Sequence, residues 1–198
     1  MASRALRGFT MLEVLISIFI MTIGLLGLAG MQIRAQQAEL ESYQRAQALI
    51  LVNDMIDRVN ANRSAAQCYN FTAAANGTPF AGGGTANAAP VCGAFGTIET
   101  RGRANTDLTE WHGALNGAAE QLSGASVGAM TGARGCVSLD TTVNPNQYRV
   151  SVAWQGSTPT RNPTSVDASY TCGTGQYGGD EAIRRVISVT FPIACLSC

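Results

Sequence analysis

The chain has 198 residues with 13 basic and 13 acidic side chains, for a formal net charge of zero. That length suits one domain, or one domain with an appendage. Every basic residue is Arg and charged residues make up only 13% of the chain, about half the usual share of a soluble domain, which argues against a nucleic-acid protein held by bulk positive charge and against a charged disordered tail.

The N-terminal stretch carries Arg4 and Arg7, and between Arg7 and Arg34 the only charge is Glu13. From Val14 to Ile33 run twenty uncharged, mostly apolar residues, which as a helix rise about 30 Å, enough to cross a hydrocarbon core. Arg4 and Arg7 favour a cytoplasmic N-terminus, so the rest of the chain belongs on the far side of the membrane. The six cysteines, Cys68, Cys92, Cys136, Cys172, Cys195 and Cys198, independently suit disulfides in an oxidising compartment. A cleaved signal peptide would have a shorter apolar region, although Gly27 and Ala29 could serve its cleavage site. A lipoprotein signal would need Cys where Met31 stands.

The segment Arg7-Gly8-Phe9-Thr10-Met11-Leu12-Glu13-Val14-Leu15 resembles the prepilin processing motif of type IV pilins and type II secretion pseudopilins. The resemblance implies that a prepilin peptidase cuts between Gly8 and Phe9 and methylates Phe9, the new N-terminus. The apolar segment then stays as membrane anchor and later as filament core. A carboxylate at a bilayer centre costs about 2.5–3.5 kcal/mol on insertion scales, and less near the edge, where it reaches headgroups. Glu13 is thus either a tolerated snorkelling residue or a charge awaiting a partner. The family implies the second: the matching Glu pairs with the N-terminal amine of a neighbouring subunit, two charges offsetting each other's desolvation.

The run Gly24-Leu25-Leu26-Gly27-Leu28-Ala29-Gly30-Met31-Gln32 resembles minor pilins of the PilV group. Major pilins usually carry a Pro near Gly30, and none occurs here. Gly24, Gly27 and Gly30 each weaken a helix by up to about 1 kcal/mol relative to Ala. Two readings stand: the anchor straightens or unwinds there in the filament, or the glycines permit close helix packing.

Past the span, residues 32 to 62 lack Pro and Gly and are rich in helix formers. Leu49, Val52, Ile56 and Val59, with Met55 beside them, form one apolar stripe that needs a globular partner. Asp54, Asp57 and Arg58 fall largely off it. Residues 63 to 106 shift to Ala, Gly, Asn and Thr, and read as an irregular link. Asp107-Leu108-Thr109-Glu110 reads as a helix N-cap with an acidic residue three positions on. Leu108, Trp111, Leu115 and Leu122 then fit one face, and Ser123-Gly124 ends the helix. Trp111 is a core candidate; His112, beside it, is expected to be exposed, with no nucleophile at a recognisable spacing.

Strand candidates follow at Ala125–Met130 and Cys136–Leu139. In Gln147–Trp154, Tyr148, Val150, Val152 and Trp154 alternate with Arg149, Ser151 and Ala153; Arg185–Phe191 repeats the alternation with Ile187, Val189 and Phe191. Asn144-Pro145-Asn146 marks a turn. The expected fold class is α+β and pilin-like: a long N-terminal helix, apolar then amphipathic, packed on a small antiparallel sheet of about four strands. The boundaries read as leader 1–8, transmembrane or filament-core helix 9–31, amphipathic continuation 32–62, and a head with Gly-rich loops over 63–198.

Cys195-Leu196-Ser197-Cys198 lacks the βαβ context of a redox motif, and no second close cysteine pair completes a zinc site. The pairing read here is Cys68–Cys92, Cys136–Cys172 and Cys195–Cys198, one of several that six cysteines allow. With no catalytic constellation, cofactor motif or metal set, the reading is a structural subunit and not an enzyme: a minor pilin that helps start assembly of a type IV pilus, with roles in attachment, twitching motility or DNA uptake. The resemblance implies prepilin peptidase, other minor and major pilins and the inner-membrane assembly platform as partners. It also implies a single-pass inner-membrane stage with a periplasmic head before the pilus, where the tip is one candidate position. The alternatives are a minor pseudopilin of type II secretion and a tip adhesin or DNA-binding module. The head's Arg residues are scattered, with only the Arg101/Arg103 and Arg184/Arg185 pairs, and a DNA reader should cluster them with aromatics. Cleavage after Gly8 would leave 11 basic and 13 acidic side chains.

Overall fold

A computed structural model describes residues 8–83, 92–93, 95–118, 121–126, 130–140, 142–143 and 146–193. The chain divides into two compact units, Met1–Leu40 and Glu41–Cys198. Helix α1 spans Met11–Ala61. In the first unit every described side chain is exposed, so the apolar residues there find no cover within the chain.

In the second unit α1 lays Ala48, Leu51, Val52, Met55 and Val59 into the core. Leu49, expected on that stripe, is 41% exposed, because the buried face is centred on Ala48, Val52, Met55 and Val59 and Leu49 lies off it. Ile56 is half-buried at its margin. After α1 the chain turns through a 3-10 helix, Arg63–Tyr69, which buries Ala65, Ala66, Cys68 and Tyr69. The stretch read as an irregular link therefore contributes to the core.

Helix α2 spans Ile98–Leu115. It starts about nine residues earlier than the expected N-cap at Asp107. The cap is Thr97, whose side chain accepts from the Thr100 amide while Thr100 reaches back to the Thr97 amide, a reciprocal capping box that satisfies two otherwise orphan donors. Ala104, Leu108, Trp111 and Leu115 face the core. Leu122 does not join them. The helix stops at Leu115, and Leu122 stands exposed in a small hairpin of β2 (Gln121–Leu122) and β3 (Ala125–Ser126). Ser123 and Gly124 turn that hairpin with positive φ rather than ending α2. The strand candidate Ala125–Met130 is realised as β3 over Ala125–Ser126, with residues 127–129 outside the described set.

The main sheet has the order β1-β4-β5-β6, antiparallel throughout. Its strands are β1 (Ala81–Gly82), β4 (Arg134–Asp140), β5 (Gln147–Gln155) and β6 (Arg184–Pro192). Val137, Val150, Val152 and Trp154 join the helices in the larger core. The alternation read in β5 suggested a solvent face, yet residues 150–154 are all buried. The second face is covered by a separate cluster of Cys136, Ala153, Cys172 and Tyr177, with Phe80, Ile183 and Val186 against it. A Cys136–Cys172 disulfide ties the long β5–β6 connection over that face. A Cys68–Cys92 disulfide ties the 3-10 helix to the segment before α2. The expected Cys195–Cys198 pair lies outside the described residues. The result is a long N-terminal helix packed against a small antiparallel β-sheet head, the architecture of a pilin.

Gly135 shows how closely helix and sheet approach. A Cβ there would lie 2.2 Å from Cη2 of Trp111 and 2.6 Å from Cδ1 of Leu115, so α2 seats its Trp where β4 offers no side chain.

Candidate functional site

The N-terminal segment is built from local rules. Thr10 precedes α1 and accepts from the Glu13 amide, through its hydroxyl at 3.3 Å and its carbonyl at 3.1 Å. Thr10-Met11-Leu12-Glu13 is thus a T-x-x-E start signal, one that sequence reading absorbed into the processing motif without recognising as a cap. Glu13 stands in the first turn, where the positive end of the helix dipole favours a carboxylate. Ser17 donates to the Glu13 carbonyl at 2.6 Å and Thr22 to the Phe19 carbonyl at 2.8 Å, so these hydroxyls are satisfied without water. Gly8 and Phe9 precede the helix and are exposed, Phe9 at 83%. Arg4 and Arg7 lie outside the described residues.

The structure keeps Gly24, Gly27 and Gly30 helical. A Cβ at any of the three would meet nothing within 4 Å, so no contact inside this chain demands glycine. Among the described residues α1 is the one helix long and apolar enough to cross a membrane, and none of its most apolar stretch is buried. A core helix of a soluble protein would bury that stretch; here it awaits lipid or other helices.

In the head, one polar cluster fastens α1 to α2. Asp107 is 1% exposed and accepts from Tyr69 Oη at 2.5 Å, Arg58 Nη1 at 3.1 Å and Arg103 Nε at 3.0 Å. Arg58 also reaches Asp54 and Glu110, and Asn62 Nδ2 donates to Tyr69 Oη and the Thr100 carbonyl. Burial, reinforced by the Asp107 carboxylate, pushes the Tyr69 phenol above its ordinary range. Burial at Arg58 is outweighed by its acidic partners, which hold the guanidinium charged. Asp107 was read as a cap; it is the buried hub of this cluster. His112, expected to be exposed, is half-buried, and its Nδ1 accepts from the Gly82 amide at 3.0 Å, fixing β1 to α2.

Among the described residues no group of three His, Cys, Asp or Glu side chains could hold a metal ion. The apolar helix, its capped start and the motif ahead of it are contiguous and exposed throughout the described residues 8–40.

Comparison with known families agrees. Residues 4–29 match the prokaryotic N-terminal methylation motif, and residues 30–94 match a family described as type IV pilin Tt1218. No curated protein matches the chain, and no solved structure matches it. The chain is a type IV pilin-like structural subunit bearing a prepilin N-methylation motif.

Proposed function

We propose that this chain is a minor pilin of the PilV group, cut between Gly8 and Phe9, methylated on Phe9, and incorporated into a type IV pilus whose assembly it helps to start. One observation carries the reading: a processing motif at Gly8-Phe9 abuts an apolar helix whose side chains from Met11 to Leu40 all lie exposed. Such a surface needs a bilayer before assembly and neighbouring helices after it.

Glu13 supplies the charge that a neighbour's N-terminal amine would neutralise in the apolar bundle. Prepilin peptidase, the inner-membrane assembly platform and other minor and major pilins are the partners this route requires. The route also has an inner-membrane stage with the N-terminus cytoplasmic and the head periplasmic. The match of residues 30–94 to a type IV pilin family favours the pilus over a type II secretion pseudopilus. A DNA-reading head has less support, because its Arg pairs are engaged internally. Arg184 is buried against Glu181 and two carbonyls, Arg185 pairs with Glu41, Arg103 with Asp107, and Arg101 binds the Thr97 and Gly93 carbonyls.

The test is deletion in the producing bacterium combined with mass spectrometry of sheared filaments. Loss of twitching and an N-terminal peptide beginning at methylated Phe9 support the assignment. Loss of exoprotein secretion with twitching intact overturns it in favour of the pseudopilus.

A further inference from the structure

The chain has one histidine, His112, and it stands half-buried in the last turn of α2. The Gly82 amide donates to its Nδ1 at 3.0 Å. A ring nitrogen that accepts from a backbone N–H carries no proton itself, so this bond selects the neutral imidazole with its proton on Nε2. In the imidazolium both ring nitrogens are donors, and Nδ1–H would face Gly82 N–H. The bond and the charged ring exclude each other.

β1 depends on such a bond more than a longer strand would. It covers only Ala81 and Gly82 at the edge of the sheet, opposite Gly135 and Arg134 of β4, and Gly83 N–H extends the pairing to the Ala133 carbonyl at 2.8 Å. Its backbone lies against α2, where a Cβ at Gly82 would come 2.9 Å from Leu115 Cβ. Further along β4, Thr72 bonds both the N–H and the C=O of Val137, and Asn70 Oδ1 accepts from Leu139 N–H. That part of the edge stays closed without β1. The β1 segment is also bounded. Thr72 Oγ1 holds the Pro79 carbonyl at 2.9 Å on one side, and Cys92 is tied to Cys68 on the other.

Among the described residues no carboxylate stands ready for a charged ring. The residues one turn away on α2, Leu108, Thr109, Leu115 and Asn116, are neutral. Glu110 is two positions before, on another face of the helix, and is paired with Arg58. Ala81 and Gly82 of β1 are neutral. On β4 the charged residue is Arg134, the register partner of Gly82, whose guanidinium stacks on Phe80 and on the Tyr177 phenol ring; a second cation nearby gains nothing from it. The sequence from Gly84 to Val91 has no ionisable side chain, and Glu120 lies outside the described residues.

We propose that His112 is an acid-operated catch. The neutral ring holds β1 on α2; protonation releases the β1 segment between its two tethers and uncovers Leu115 and the Arg134–Gly135 edge of β4, while the rest of the sheet stays closed. Imidazole is the side chain that ordinarily changes charge between about pH 8 and pH 5. The catch is closed at the upper end of that range and opens as pH falls through it.

The test follows hydrogen–deuterium exchange of backbone amides by NMR in the full chain in detergent, in steps from about pH 7.5 to about pH 5. Each rate is divided by the intrinsic rate at that pH, and the His112 Cε1–H resonance reports protonation of the ring. Protection of the Gly82 and Gly83 amides should fall by about tenfold, the loss of one such bond, with the same midpoint as the His112 resonance. The Val150 and Val152 amides in the middle of the sheet should keep their protection. His112→Asn sets an amide oxygen where Nδ1 stands and does not titrate, so its Gly82 protection should not change with pH. Constant Gly82 protection in the parent, whether the ring titrates or stays neutral, overturns the proposal. So does an acid-dependent loss in His112→Asn, or a loss at Val150 and Val152 that accompanies Gly82, which would be general unfolding.

Discussion

Asp107→Asn tests whether one buried carboxylate fastens α1 to α2. The substitution keeps shape and removes charge. Asp107 accepts three hydrogen bonds, from Tyr69, Arg58 and Arg103, and Asn offers only one acceptor oxygen. Hydrogen bonds to charged groups contribute about 1.5–3 kcal/mol each in favourable settings, and breaking a fully buried ion pair costs about 3–5 kcal/mol. The upper figure does not apply, because no cation is stranded. Arg58 keeps Asp54 and Glu110, and the Arg103 side chain is 67% exposed. The amide NH2 would face either the Tyr69 hydroxyl or a guanidinium, and the hydroxyl can turn to accept. The expected loss is about 2 kcal/mol, or a fall in Tm of roughly 4–8 °C for a domain of this size. Both tryptophans, Trp111 and Trp154, are buried in the head, so denaturant unfolding followed by tryptophan fluorescence reports this unit. A midpoint within about 0.5 kcal/mol of the parent, the usual scatter of a surface change, would refute the reasoning.

Further outcomes follow from other sites. Glu13→Gln leaves the Thr10 cap on the residue-13 amide intact and removes only the charge, so the variant should insert and be processed but reach sheared filaments poorly; parental incorporation would end the pairing assignment. Gly135→Ala forces a methyl against the Trp111 ring and should cost about 1–3 kcal/mol as an overpacking change, read by the same fluorescence titration. Replacing Cys136 and Cys172 together with Ser removes a crosslink between residues 36 apart, worth about 3–4 kcal/mol in the chain-entropy model, and non-reducing peptide mapping should recover that pair from the parent. Burial raises the Tyr148 phenol to about 12, above the unfolded value near 10. Its contribution is complete below pH ~10 and is lost as pH rises towards 12, so Tyr148→Phe should flatten the alkaline arm of the stability profile.

The features legible in the sequence were those written in consecutive residues. The Gly8-Phe9 motif, the uncharged span and the alternation in β5 and β6 all depend on near neighbours, and period-2 or composition signals report them directly. The start of α2 was misplaced because Asp107-x-x-Glu110 imitates a cap, whereas the true cap is Thr97. Thr97 and Thr100 carry a capping box without its usual acidic partner, a signal that a Thr-x-x-Thr search would have found. β5 misled in the opposite direction. Arg149, Ser151 and Ala153 alternate with the apolar set, yet Tyr177 and the long connection tethered by Cys136–Cys172 cover Ala153 on that face.

The charges explain why the rest stayed hidden. A chain with so few of them has little reason to bury any, yet Asp107 and Arg184 are almost fully enclosed. Burying a charge is tolerable only when it is paired; Arg103 for Asp107 and Glu181 for Arg184 stand one turn away, but the other partners lie far off in sequence: Arg58 and Tyr69 for Asp107, Tyr170 and Cys172 for Arg184. No periodicity connects residues at such separations. The same holds for Arg185, whose ion pair with Glu41 joins the start of β6 to α1. Zero net charge therefore conceals two uses. In the apolar span, charge is withheld except at Glu13, whose proposed partner is a neighbour's N-terminal amine. In the head, Arg58, Asp107, Arg184 and Arg185 join α1, α2, the sheet and the loop above it. A neutral, loop-rich head can hold one arrangement on those terms, with the Cys68–Cys92 and Cys136–Cys172 disulfides restraining its two long connections.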